Sequence, residues 1–422
     1  MKLNKLQLSI VVLISILIGY YFGVTQVKLD WQHFKPNISI TNKEPQYTNT
    51  TVDFSLFWNV WDKIASGYYD KKAIDPQKML YGAINGMIGT LNDPYTMFLP
   101  PTQNTNFQQQ MAGQFGGIGA ELGLNGKQIV VIAPLDGSPA QKAGIKAGDL
   151  IMKVDDQPTA NWTLPQTVEK IRGPKGTKVV LSVMHKDSKD LQDITINRDT
   201  ITVKSVVGWV KKVKDVDNLT DAIKTSGQAN NEIMYIRLSQ FGDATNQDWQ
   251  ALVKKLSDQT QKDGNVKGMV LDLRNNPGGY LTDATFIAGE FLPEGTLVVT
   301  QDKGNGDTTP LNVNRNGILQ NIPLVVLINK GSASASEIVA GALRDNKRAK
   351  LIGDTSFGKG TVQEAIDLGN GAGVHVTIAK WLTPNGTWVH GKGLTPDVSV
   401  SLSEKDPTHD TQLEKAISTL LQ

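Results

Sequence analysis

Residues 323–346 read PLVVLINKGSASASEIVAGALRDN. The apolar, β-branched run Leu324 to Ile328 is short enough for a buried strand, and Lys330-Gly331 breaks it. A helix is expected to follow. Ser332, Ser334 and Ser336 fall where a new helix leaves backbone N–H groups unpaired, and Ser334 precedes Glu337 at the spacing of a capping box. A hydroxyl at such a strand-to-helix turn can be exposed, with N–H groups beside it able to hold an oxyanion. Two roles stay open at this point, a nucleophile and a simple helix cap.

Working outward, Gly268 to Gly279 (GMVLDLRNNPGG) reads as a second buried strand running into a glycine-rich loop, with an apolar helix around Ala284 to Phe291. Glu232 to Leu238 reads as a strand, Asp248 to Leu256 as a helix, and Leu297 to Thr300 as a further strand. This alternation predicts an α/β core whose site lies at strand C-terminal ends, where both Gly278-Gly279 and Ser334 fall.

Downstream stands AKLIGDTSFGKGTVQEAIDL, residues 349–368. Gly353 to Lys359 fits the spacing of a phosphate loop, but Gly360 stands where Mg²⁺ ligation needs Ser or Thr, so a nucleotide site is rejected. A lysine between two glycines rides on backbone that can pass close to other groups. If it reaches Ser334 while desolvated, its pKa falls and it can act as the base. The five histidines, at 33, 185, 375, 390 and 409, form neither a G-x-S-x-G elbow nor an H-E-x-x-H motif. Only His375 and His390 fall where they could face a cleft.

Composition narrows the choice. A chain of 422 residues exceeds one ordinary core, and 43 basic against 41 acidic residues give no reason to expect nucleic acid as a partner. The absence of cysteine removes disulfides, thiol nucleophiles and Cys-ligated zinc. No metal or cofactor is expected.

At the N-terminus, Leu6 to Val24 is apolar and no charge lies between Lys5 and Lys28, so residues 1–28 read as a signal-anchor that spans the membrane. Lys2 and Lys5 would stay cytoplasmic and the remainder would lie outside. No small-x-small site follows, which favours a retained anchor over a cleaved signal peptide. Residues 29–51 are polar and read as a linker. Residues 52–104 read as a small helical region, where Phe54, Phe57, Trp58, Trp61 and Ile64 form an aromatic stripe expected in the core and able to serve as a homodimer face. A second helix fits Pro76 to Leu91.

Residues 105–199 turn to β texture. Phe115-Gly-Gly-Ile-Gly119 precedes a strand, Ser138-Pro139-Ala140 opens a short helix, Ala143-Gly144-Ile145 closes it, and Gly148-Asp149 leads into Leu150 to Val154. In these features the stretch resembles a PDZ domain. The resemblance implies that the backbone of Gly116, Gly117, Ile118 and Gly119 binds a peptide's C-terminal carboxylate while the peptide adds as a strand to the sheet edge. Ile201 to Val207 reads as a strand leading out of this domain.

GSASASE, then IGDTSFGKGTVQ, then WLTPNGTWVHGKGLTPDV, together with DLRNNPGG, resemble the carboxyl-terminal processing peptidases, the tail-specific serine proteases. The resemblance covers Phe54 to about Val400. It implies an α/β (α+β mixed) protease core over 200–402 with an inserted PDZ domain, and a C-terminal helix over 403–422. It places the nucleophile at Ser334, the general base at Lys359 and the lysine-orienting glutamine at Gln363. The oxyanion donors map to Ala335 and to Gly278 or Gly279, Ser332 and Ser336 being rivals for the nucleophile. Arg172 either couples PDZ occupancy to the protease or is an exposed turn arginine. Trp209 to Asn231 is longer than the family's usual link there.

The function so implied is a membrane-anchored, extracytoplasmic endopeptidase acting on proteins with free, apolar C-termini. The alternative is a catalytically silent scaffold that only captures tails.

Overall fold

The structure, a computed structural model, describes residues 5–24, 27–32, 35–40, 53–125, 128–135, 137–185, 188, 190–263, 265–402 and 408–422. Residues 1–79 and 80–422 form two compact units.

In the first unit, Lys5–Val24 is helical, where the sequence places the anchor. Side chains are described for residues 11–20 of this helix, and among the described residues no helix is long and apolar enough to cross a membrane. Val27–Gln32 pairs antiparallel with Lys35–Ile40. This hairpin corrects the reading of 29–51 as a linker: Val27, Leu29 and Trp31 alternate with Lys28, Asp30 and Gln32 at strand period. Residues 41–51 of that linker lie outside the described residues. The helix Ser55–Gly67 carries the aromatic stripe, but none of its residues is buried. Phe57, Trp58 and Trp61 pack on one another edge-on or tilted, with centroids 5.1 to 6.1 Å apart, so the stripe is not the core element that its period predicts. Pro76–Gly89 is the second helix.

The PDZ domain is a sheet in the order Leu191–Asn197, Lys178–Met184, Leu150–Val154, Gln128–Pro134, Ala120–Asn125. Ile129, Val131, Ile151, Leu181 and Val183 build its core. The helix Leu164–Ile171 opens with a Thr163/Gln166 capping box. Ala120–Asn125 is the sheet's edge, so its outer N–H and C=O groups are available to an added strand. The exit strand expected over Ile201 to Val207 is two strands. Asp199–Thr202 pairs with Gln114–Gly117, and a break at 203–205 precedes the first strand of the α/β core.

That core is a six-stranded sheet in the order β1 (Val206–Lys212), β2 (Glu232–Leu238), β3 (Val266–Asp272), β4 (Leu324–Ile328), β5 (Lys350–Gly353), β6 (Val398–Ser399). Only β1 runs antiparallel to its neighbour. Both faces are buried, and period two sorts the side chains. Met234, Ile236, Met269, Leu271, Val326 and Ile328 point into one cluster with the helices α1 (Thr245–Asp263), α2 (Leu281–Ala288) and α3 (Ala335–Asp345). Ile233, Tyr235, Val270, Val325 and Leu327 point to the other face, against α4 (Thr411–Leu420). The long link after β1 is part of that second face, where Val213, Val216 and Leu219 are buried.

A smaller sheet lies beside the first, ordered Thr308–Asn312, Leu297–Asp302, Ala372–Leu382, Thr361–Gly369, with Met97–Leu99 on Ala372–Leu382. Leu297 to Thr300 therefore belongs here and not to the parallel sheet. The hairpin 361–382 turns at Asn370-Gly371, both with positive φ (51° and 80°), the turn geometry that matches strand twist. It places Lys359 and Gln363 at the root of one strand.

Candidate active site

Adjacent parallel strands β3 and β4 end side by side, Asp272 opposite Leu327, and each feeds one half of the site. The loop from β4 brings Ser334 to the N-terminus of α3 with φ 56° and ψ −118°. A non-glycine residue in that region is strained, and such strain collects at functional sites. The neighbouring loop packs hard against it. A Cβ on Gly278 would lie 2.8 Å from Ser334 Cβ and 2.9 Å from Ala335 N, so no other residue allows this approach.

The three serines now separate. Ser332 Oγ donates to Leu273 O at 2.8 Å, and Ser336 Oγ donates to Ala333 O and Asn276 O; both are fully buried. Ser334 is half-buried. Ser334 holds the N-cap position, and Ser336 ties the helix to the loop 275–278.

The glycines separate too. Gly278 N–H donates to Asn276 Oδ1 at 2.8 Å, while the N–H groups of Gly279 and Ala335 have no acceptor among the described residues. Asn276 fixes this geometry. It is fully buried, its side-chain N–H donates to Leu238 O at the end of β2, and its carbonyl accepts from Ala333 N.

Glu337 joins Ser334 to Lys359. Oε2 of this fully buried carboxylate accepts the backbone N–H of Ser334 and of Lys359, each at 2.9 Å. Oε1 accepts from Gly358 N and the Ser356 hydroxyl at 2.7 and 2.6 Å. The far side of the lysine is held as well, Trp381 Nε1 donating to Lys359 O and Trp388 Nε1 to Gly360 O. Burial pushes the Lys359 ammonium below its ordinary pKa, with the carboxylate of Asp93 acting in the opposite sense. Among the described residues no hydrogen bond joins Lys359 Nζ to Ser334 Oγ, a contact that in unliganded enzymes commonly tightens only with substrate in place.

Gln363 Nε2 donates to Thr361 and Thr377 hydroxyls at 2.8 and 3.1 Å, and makes no hydrogen bond to the lysine. His375 packs edge-on against Phe107, centroids 4.5 Å apart, and burial and Lys359 push its pKa down. His390 stacks on Trp388.

The four residues Gly116 to Gly119, expected to hold a carboxylate, divide into strand and turn. Gly116 and Gly117 are strand residues opposite Thr200 and Asp199, and Gly116 O accepts from Gly173 N at 3.1 Å. A Cβ on Gly116 would meet Gly173 O at 2.2 Å, so this glycine serves packing. Ile118 and Gly119 remain as the turn into the edge strand, Ile118 buried and Gly119 at φ 72°. Arg172 directly follows the helix 164–171, and its guanidinium lies 4.4 Å over the Phe115 ring beside Gly117.

The sequence signalled Glu337 only as a capping partner, and carried no signal for Asn276 as the clamp of the glycine loop. Tyr95, whose ring lies under Lys359 Nζ, gave none either.

Three family patterns match: peptidase family S41 over residues 232–400, the PDZ domain over 108–184, and the N-terminal domain of the activating protease CtpB over 13–102. A carboxy-terminal-processing protease of Bartonella bacilliformis is 37% identical over 377 residues, covering 89% of this chain and 81% of its own. The carboxy-terminal processing protease CtpB of Bacillus subtilis is 32% identical over 401 residues, covering 94% and 78%. Among solved structures, the photosystem II D1 C-terminal processing protease aligns over 82% of this chain and 92% of its own, with a TM-score of 0.50 and 31% identity.

Proposed function

Since the chain belongs to the carboxy-terminal processing proteases of peptidase family S41, we propose that it cleaves extracytoplasmic proteins whose free, apolar C-termini its PDZ domain captures, using Ser334 as nucleophile and Lys359 as general base. The carrying observation is the Glu337 carboxylate, which holds the backbone of both residues at 2.9 Å. Desolvation favours the neutral amine, the form that can take the serine's proton. The N–H groups of Gly279 and Ala335, without an acceptor among the described residues, hold the tetrahedral oxyanion, and Gly278 supplies the close approach. Gln363 acts one step removed, fixing Thr361 and Thr377 beside the lysine.

A substrate tail adds to the edge strand Ala120–Asn125 with its carboxylate at Ile118-Gly119, and Arg172, at the end of the helix 164–171 and over the Phe115 ring, senses it. The uncharged run after Lys5 supports a retained N-terminal anchor, with the protease outside the cytoplasm. The exposed aromatic helix 55–67 supports a homodimer contact.

The test uses the full chain in detergent with an unfolded substrate ending in apolar residues. Ser334→Ala and Lys359→Ala should each abolish cleavage, and amidation of the substrate C-terminus should slow it. Binding of the tail with no cleavage by the unaltered chain would establish the silent scaffold instead.

A further inference from the structure

Lys359 Nζ stands 5.0 Å above the centroid of the Tyr95 ring. Tyr95 comes from a segment remote in sequence, just before the short strand Met97–Leu99. The segment is tied down locally: Asp93 accepts from Tyr95 N at 3.0 Å and from the Thr96 hydroxyl at 2.7 Å, and Thr96 accepts from Thr377 N at 3.0 Å. His390 also meets the ring edge-on with centroids 6.0 Å apart, and His390 is itself stacked on Trp388 at 5.1 Å. The ring thus contacts both the lysine and a second aromatic pair. The lysine backbone is fixed by Glu337 on one side and Trp381 on the other, which leaves four side-chain torsions between a fixed Cα and the reacting nitrogen.

We propose that Tyr95 is the positioning residue of the general base, its aromatic face holding the Lys359 Nζ at one place over the ring. This rests on the reading of Lys359 as the base. An aromatic face attracts an ammonium more than a neutral amine, so the ring also keeps the lysine's pKa from falling as far as burial alone would take it. The charged and titratable groups that face the lysine and the ring are Asp93 on the same segment as the ring, Glu337 on α3 at the lysine's backbone, His375 on the strand 372–382, and His390 edge-on to the ring. Lys380 lies farther out, 5.7 Å over Trp388.

The experiment is a pH profile of kcat and KM for the full chain and three variants, on a peptide with a free apolar C-terminus. Tyr95→Leu keeps an apolar side chain and removes the π face. It should lower kcat about tenfold with little change in KM, and move the acid limb of kcat to lower pH by roughly half a unit to one unit. Tyr95→Phe should restore both. If circular dichroism shows that Tyr95→Leu does not fold, a polyfluorinated phenylalanine at position 95, similar in shape but with a weakened π face, should give the same limb shift. A fall in kcat without the shift, a shift to higher pH, or Tyr95→Phe behaving like Tyr95→Leu overturns the proposal. Lys359→Ala separates the two readings. If it stays active, the base assignment itself fails; if it is dead while Tyr95→Leu matches the unaltered chain, only the role of Tyr95 fails.

Discussion

Lys359 and Ser334 donate their backbone N–H groups to the same oxygen, Glu337 Oε2, each at 2.9 Å. The pair is therefore aligned through the main chain. Four donors converge on this one carboxylate. Glu337→Gln keeps the volume but replaces one acceptor oxygen by an NH₂ that faces donors. It should cost about 2–4 kcal/mol of stability, and misplacing the base relative to the nucleophile should lower kcat by about a hundredfold. Thermal melts and steady-state kinetics on folded protein check both numbers.

The activity should rise with pH on its acid side. Burial depresses the Lys359 pKa, and only the neutral amine accepts the serine proton, so kcat falls as pH drops through that depressed value. Stability moves with the same group. The unfolded lysine binds its proton more tightly than the folded one, so folding is penalised at low pH and the penalty fades as pH rises toward the ordinary value of about 10.4. Lys359→Met should therefore be inactive and more stable than the unaltered chain at neutral pH. Denaturant midpoints at pH 6 and pH 10 should show that gain shrinking.

Asn276→Ala should separate stability from chemistry at the glycine loop. It removes the acceptor of Gly278 N–H and the donor to Leu238 O, freeing the loop that places Gly279 N–H. Loss of one well-placed oxyanion donor costs about a hundredfold to a thousandfold in kcat. KM for a tail peptide should hold, because the PDZ groove is untouched. By contrast, Gly279→Ala should fail to fold this loop at all, since its Cβ would lie 1.7 Å from Phe241 O.

Beneath the same loop, Arg274 is buried between Asp272 and Asp410, with bonds to each of 2.7 to 2.8 Å. Asp410 comes from the start of α4, so this ion pair fastens the C-terminal helix to the end of β3. Burial works against the Asp410 carboxylate, and Arg274 with the Leu413 and Gln412 N–H groups overcomes it, holding the pKa below the usual range. Its folded pKa is depressed, so its stabilisation is present above the unfolded value of about 3.9 and is lost as pH falls through the folded value. Arg274→Met leaves Asp272 buried without a countercharge and should cost about 3–5 kcal/mol. Urea melts and amide exchange of residues 411–420 measure it.

The sequence carried the parallel sheet plainly, because strands buried on both faces must be continuous apolar runs, as Met269 to Leu271 and Leu324 to Ile328 are. It misassigned Leu297 to Thr300, an equally apolar run, because sheet membership depends on which distant strand pairs with it. Where chemistry demands a residue type, as at Ser334 and Lys359, the sequence pointed to two residues whose backbones the fold ties to one carboxylate. The site was illegible where geometry decides: nothing local tells that Gly116 is needed for Gly173, or that an aromatic near position 95 will lie under a lysine near 359.

The backbone at Ser334, at φ 56° and ψ −118°, favours glycine on conformational grounds by about 1–3 kcal/mol. Selection for cleavage and selection for fold stability therefore pull this one position in opposite directions. A lineage that kept the scaffold but abandoned proteolysis would drift toward glycine here and grow more thermostable in doing so. Glycine at the nucleophile position of a relative is thus a fossil of lost catalysis, legible without an assay.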